Sequence, residues 1–139
     1  MKCSKKDYVF SRKSIKSVKS IKREKMKINK FEDILAWQKA KELTLLVYTI
    51  FKANKDFGFR DQIQRAVISI MNNIAEGFER RGDKEFKHFL YIAKGSCAEV
   101  RSMLYIAKEQ GYVRSTDFDR IYLLTVEISK MLSGFIKTL

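Results

Sequence analysis

The chain contains no proline in 139 residues, where average usage would supply several. Proline lacks an amide hydrogen and its ring clashes with the preceding helical turn, so its absence favours a mostly helical protein. Apolar spacing points the same way. From Phe31 to about Ala53 the residues Ala36, Ala40, Leu43, Val47, Ile50 and Phe51 recur at steps of three and four, the period of one helix face. Leu45 and Tyr48, with Ile34 a turn or more earlier, fall on another side and give this helix a second apolar surface. A loop through Asn54, Lys55, Asp56, Phe57 and Gly58 leads to a second helix, Arg60 to Arg80, whose stripe is Ile63, Val67, Ile70, Ile74 and Phe78.

Gly82 interrupts the pattern and Asp83 is placed to cap a third helix, its carboxylate accepting from unpaired amides of the first turn. That helix runs to about Gln110 with Phe86, Phe89, Leu90, Ala93, Cys97, Val100, Leu104 and Ala107 facing the core. Gly111 is positioned to close it in the left-handed conformation. A fourth helix is expected to start at Thr116, with Asp117 and Asp119 in its first turn and a face of Ile121, Leu124, Ile128, Met131, Leu132 and Phe135. Short connections between helices of similar length favour antiparallel neighbours. The expected architecture is all-α: an up-down-up-down antiparallel four-helix bundle over residues 28–139, preceded by a basic extension over residues 1–27.

The formal net charge is +13, but it is unevenly placed. The first thirty residues hold twelve Lys/Arg against two acids, Asp7 and Glu24, and so carry +10; residues 31–139 carry only +3. Most of a charge that would suggest nucleic acid therefore belongs to the extension. Within it the triplets Ser14-Ile15-Lys16, Ser17-Val18-Lys19 and Ser20-Ile21-Lys22 would set Ile15, Val18 and Ile21 on neighbouring helical positions. Such a ridge would suit a membrane surface, an RNA backbone or an acidic partner. The same composition fits a disordered basic arm. A third reading starts the native protein at Met26. Cys3 and Cys97 make no disulfide framework, and neither a signal peptide nor a membrane span is evident, so a cytoplasmic setting is expected.

Several separated fragments then occur in order: Phe31-Glu32-Asp33-Ile34, Trp37-Gln38-Lys39-Ala40, Gln62-Ile63-Gln64-Arg65-Ala66, Ser69-Ile70 and Asn73-Ile74-Ala75-Glu76-Gly77. They are followed by Glu85-Phe86, Phe89-Leu90, Ile92-Ala93-Lys94-Gly95-Ser96 and Glu99-Val100. In these residues the chain resembles the four-helix bundle family of proteins encoded in 23S rRNA intervening sequences, over essentially all of residues 28–139. The resemblance implies a bacterial, non-enzymatic bundle that assembles as a ring-like homopentamer. It is also similar to the accessory variability protein of diversity-generating retroelements, which implies binding to RNA or DNA and a reverse transcriptase as a protein partner. Family members usually begin near Met26, and the extension departs from that pattern.

Little catalytic chemistry can be assembled. The sole histidine, His88, falls opposite the core face of its helix, without the acid or thiolate partners a metal site needs. Cys97 on the core face should behave as a small buried hydrophobe. No nucleophile-base pair and no glycine-rich phosphate loop is present, so neither enzymatic activity nor a cofactor is expected. Gly77 and Gly95 lie inside helices, where glycine costs about 1 kcal/mol relative to alanine, and each is expected to permit close helix approach. Asn73 and Glu76 could bond to a neighbouring helix or subunit, and Glu76 could equally be a solvated charge.

One constellation remains. Lys87, Lys94, Arg101 and Lys108 repeat every seven residues, and a helix drifts only ~20° per heptad, so they form one row about 31 Å long. Lys84 extends it, and Tyr91 and Tyr105 fall beside it. Cations interleaved with aromatics can track a phosphate backbone while a tyrosine stacks a base. A solubilising polar face repeats in the same way. The competing surface is the second face of the first helix, Ile34, Leu45 and Tyr48, as an oligomer interface or a contact for another protein.

Overall fold

The computed structural model describes residues 28–139, and the expected basic extension lies outside the described residues. A 3-10 turn, Phe31–Asp33, precedes four helices: α1, Leu35–Phe51; α2, Phe57–Glu79; α3, Gly82–Glu109; and α4, Ser115–Lys137. Each helix packs against its chain neighbour, and α4 returns to α1, closing a bundle. Ring contacts mark the antiparallel order. Phe51 at the end of α1 meets Phe59 at the start of α2, and Phe78 at the end of α2 meets Phe86 at the start of α3. Phe86 also meets Phe135 near the end of α4, while Tyr105 near the end of α3 meets Phe118 at the start of α4.

The apolar stripes form the core. Ile63, Val67, Ile70, Ile74 and Phe78 of α2 are all buried, as are Leu90, Ala93, Cys97, Val100 and Leu104 of α3. Full burial of each valine, leucine, isoleucine or phenylalanine among them contributes about 1.5–3 kcal/mol. Ile50, Phe89 and Leu124, expected in the core, are half-buried at its margin.

Several boundaries differ from expectation. The first helix does not start at Phe31: Ile34 has extended backbone (φ −76, ψ 120) between the 3-10 turn and α1. That break turns Ile34 into the core, where it is 1% exposed. The second helix starts three residues before Arg60, because Asp56 caps it by accepting from the Phe59 amide at 3.2 Å. The third is preceded by Arg81 as its capping residue, and Asp83 lies within its first turn. The fourth begins one residue before Thr116.

The α3–α4 connection is as anticipated at Gly111, whose φ of 70° is left-handed. The Gly111 amide donates to Lys108 O and the Tyr112 amide to Ala107 O, at 3.1 and 2.8 Å. This paired arrangement satisfies carbonyls the helix end would otherwise leave open. It also aims Tyr112 across the bundle end: its ring packs on Phe59 at 5.3 Å, and its hydroxyl donates to Asp56 Oδ2 at 2.7 Å.

The two interior glycines behave differently. A Cβ on Gly77 would stand 2.6 Å from Phe89 Cβ and 3.0 Å from Phe86 Cδ1, so its lack of a side chain admits the third helix. Gly95 is exposed and a Cβ there would meet nothing within 4 Å, which corrects the expectation that it too allows a close approach.

Candidate nucleic-acid interface

The row of cations lies on one continuous helix, and its edge is turned toward α4. Lys87, Lys94 and Arg101 are half-buried, whereas Lys84 and Lys108 are exposed. Lys94 and Arg101 line a groove of about 320 Å³ between α3 and α4, with Lys130 and Lys137 on the opposite wall. Val126, Ser129, Ser133 and Gly134 complete it, and no carboxylate lines it. None of these four cations forms an ion pair with another described residue.

Such crowding of like charge is unfavourable in an isolated bundle and favourable beside a polyanion. Nothing in the local sequence singles out Lys130 and Lys137. Their seven-residue spacing repeats that of α3, but it acquires meaning only when antiparallel packing brings the two edges together.

The row does not act as one unit. Lys84 and Lys87 continue the edge toward the start of α3 without lining the groove. At the other end, the Lys108 ammonium sits 5.0 Å from the centre of the Phe118 ring, a cation–π contact that partly satisfies it. The two tyrosines also differ. Tyr105 is 53% exposed, but its edge is engaged by Phe118 and Tyr122 at 5.8 and 6.4 Å. The neighbouring Tyr122 hydroxyl pushes the Tyr105 phenol pKa upward, with desolvation adding to the rise and Arg101 opposing it. Tyr91 is 56% exposed and makes no ring contact with another described residue, so its face is the one free to stack.

Beneath the row, Cys97 is fully buried and desolvation pushes its thiol up to about 12, with Arg101 pulling weakly the other way. A thiol in that state is neutral at physiological pH and chemically inert. His88 is exposed, and among the described residues no group of three metal-ligating side chains exists.

A second groove, about 340 Å³, lies between α1 and α2 and is lined by Tyr48, Thr49, Lys52, Arg60 and Gln64. Its arginine is engaged: Arg60 lies 3.6 Å from Asp61 and over the Phe57 ring. Of the apolar surface assigned to the first helix, Leu45 and Tyr48 are exposed, at 61% and 39%. Ile34 is removed from that surface because the break before α1 points it inward. The outer face of α3 adds exposed Ile92 and Ile106 beside Tyr91 and Tyr105. Glu76 pairs with Arg80, the residue that follows its own helix, at 2.7 Å, and Asn73 bonds to Ser69 within that helix. Among the described residues no helix is long and apolar enough to cross a membrane.

Residues 32–134 match the family described as 23S rRNA-intervening sequence protein. The fold is similar to the crystal structure, at 1.70 Å resolution, of a protein of unknown function from the S23 ribosomal protein family of Bacteroides thetaiotaomicron. The TM-score is 0.70 at 25% identity, over 74% of this chain and 99% of that one. No curated protein matches the sequence.

Proposed function

Because the chain belongs to the 23S rRNA-intervening sequence protein family, we propose that it is a non-enzymatic helical scaffold that associates with nucleic acid through the cations of the α3–α4 seam. The observation that carries this reading is the convergence of Lys94 and Arg101 with Lys130 and Lys137 on one groove whose lining holds no carboxylate. A solubilising surface would intersperse charges of both signs, as happens where α1 meets α4 and Lys39 lies 3.7 Å from both Glu42 and Glu127. Phosphate contacts give sequence-independent affinity that falls steeply with salt. The family name makes RNA the first ligand to try.

The test uses the full chain and a double variant, Lys94→Gln/Arg101→Gln, titrated into labelled RNA at several salt concentrations. Affinity should drop about tenfold or more and the salt slope should become shallower. An unchanged affinity would mean that the seam is not the interface.

Self-association forms the second part of the proposal. It is supported by the exposed apolar residues Leu45 and Tyr48 on α1 and Ile92 and Ile106 on α3. A homopentamer, and a reverse-transcriptase partner like that of the retroelement accessory protein, are the specific forms it takes. A ring would repeat the groove in each subunit and raise avidity. Light scattering showing a monomer at micromolar concentration would refute the assembly. If the α1 surface serves instead for protein contact without nucleic acid, Leu45→Glu should abolish that contact and leave RNA binding unaltered.

A further inference from the structure

We infer that the α3–α4 groove seats backbone phosphates of a single strand, so that the ligand class is single-stranded rather than duplex nucleic acid. This rests on the nucleic-acid reading and narrows it. Three observations on the groove support it.

The first is shape. Lys94 and Arg101 are half-buried at the wall of a recess between two helices, not raised on its rim. A duplex carries its phosphates on stiff backbone ridges joined to stacked base pairs, which the walls of so narrow a recess would have to accommodate. A single strand can lay its thin backbone into the recess and turn its bases outward. The second is hydrogen-bonding capacity. Thr44, Thr49, Thr125 and Thr138 spend their hydroxyls on backbone carbonyls of their own helices. Ser129 and Ser133, one turn apart on α4, make no such bond with a described residue, and both line the groove. Two unspent hydroxyl donors among four cations match the several acceptor oxygens of a phosphate.

The third is the location of the free aromatic. Tyr91 lies one helical turn from Lys94 on the same helix, and its exposed ring is uncommitted. A base leaving the strand beside a seated phosphate would find that face within reach, whereas a base paired inside a duplex could not present itself to it.

The experiment measures fluorescence anisotropy of labelled single-stranded RNA and of the corresponding blunt duplex with the full chain at low salt. Single strand should bind about tenfold tighter or better than duplex. Ser129→Ala/Ser133→Ala should weaken single-strand binding several-fold, up to about tenfold, and leave duplex binding unchanged. Lys130→Gln/Lys137→Gln, at two exposed positions where folding is not at stake, should reduce the single-strand salt slope by roughly one to two.

Equal affinity for the two forms, both lost in Lys94→Gln/Arg101→Gln, would overturn this inference and leave the nucleic-acid reading standing. Wild-type affinity in the double-serine variant would also overturn it. Displacement of the RNA by a polyaspartate peptide at the same charge concentration would overturn it in favour of an acidic protein partner. Absence of salt-sensitive binding to either nucleic acid would remove both readings.

Discussion

Against α2, the third helix packs so closely that Gly77 has no room for a methyl group; against α4, the same helix leaves a groove of about 320 Å³ walled by lysine and arginine. One helix thus divides two tasks between its edges. The α2 edge contributes stability through contact at van der Waals distance, where any added volume must displace Phe86 or Phe89. The α4 edge keeps its core layer, including Phe86 on Phe135, but places uncompensated charge above it. Substitutions on the first edge should be read in unfolding free energy, and those on the second in affinity.

The largest expected effect tests the tight edge. Gly77→Ala should lose about 1–3 kcal/mol in denaturant unfolding, although alanine is the better helix former, because Phe89 and Phe86 must move. Wild-type stability would show that this seam yields, and the contrast would lose its sharper half. The same change at Gly95, where the added Cβ meets nothing, should stabilise by up to about 1 kcal/mol. A loss there would mean that a second copy or a partner occupies the outer face.

On the loose edge, Lys130→Gln should stay within about 0.5 kcal/mol of the parent and not fall below it, since the change relieves like-charge crowding. A clear drop in melting temperature would give Lys130 a structural partner and weaken the contrast from the other side.

The smallest effect is expected at the bundle end, where Tyr112 joins the α3–α4 connection to Asp56. The Tyr112 hydroxyl, followed by the Phe59 amide, holds the Asp56 carboxyl below its usual range, and Asp56 in turn raises the Tyr112 phenol. For a lowered carboxyl, the stabilisation is present above its unfolded pKa and disappears as pH falls through the folded value. For a raised phenol, it is present below the unfolded value and disappears as pH rises through the folded one. Tyr112→Phe should therefore melt slightly below the wild type at neutral pH, with the difference vanishing toward acid. A gap that persists at acid pH would show that the hydroxyl contributes without the Asp56 charge.

Much of the bundle could be read from residue spacing. The stripe of α2 and most of the stripes of α1, α3 and α4 lie in the core because a 3.6-residue period fixes which side chains share a face, whatever the neighbours are. Ile34 escaped that logic. No glycine or proline announces the break before α1, and only its placement against the core shows that Phe31–Asp33 is a separate turn. Gly77 and Gly95 look alike in sequence, since their difference depends on which way α3 is rotated. The cationic row was legible as a row but not as the wall of a groove. Its other wall, Lys130 and Lys137, belongs to a helix whose contribution depends on tertiary pairing, and no local signal separates Ser129 and Ser133 from ordinary polar residues.

The α2–α3 contact contains a partly buried polar peg. The hydroxyls of Ser69 and Ser96 meet at 3.0 Å, and Asn73 donates to both the hydroxyl and the carbonyl of Ser69. An apolar seam that repeats every turn is nearly degenerate to axial sliding: shifted by one turn, it would still set aliphatic against aliphatic. It would then break the bond between Ser69 and Ser96, and a hydrogen bond of this kind contributes about 0.5–1.5 kcal/mol. The peg therefore acts as a vernier, selecting one axial setting of α3 from several that oil alone would accept. Whatever the cations of α3 reach for, their height along the bundle is set from the opposite side of the helix.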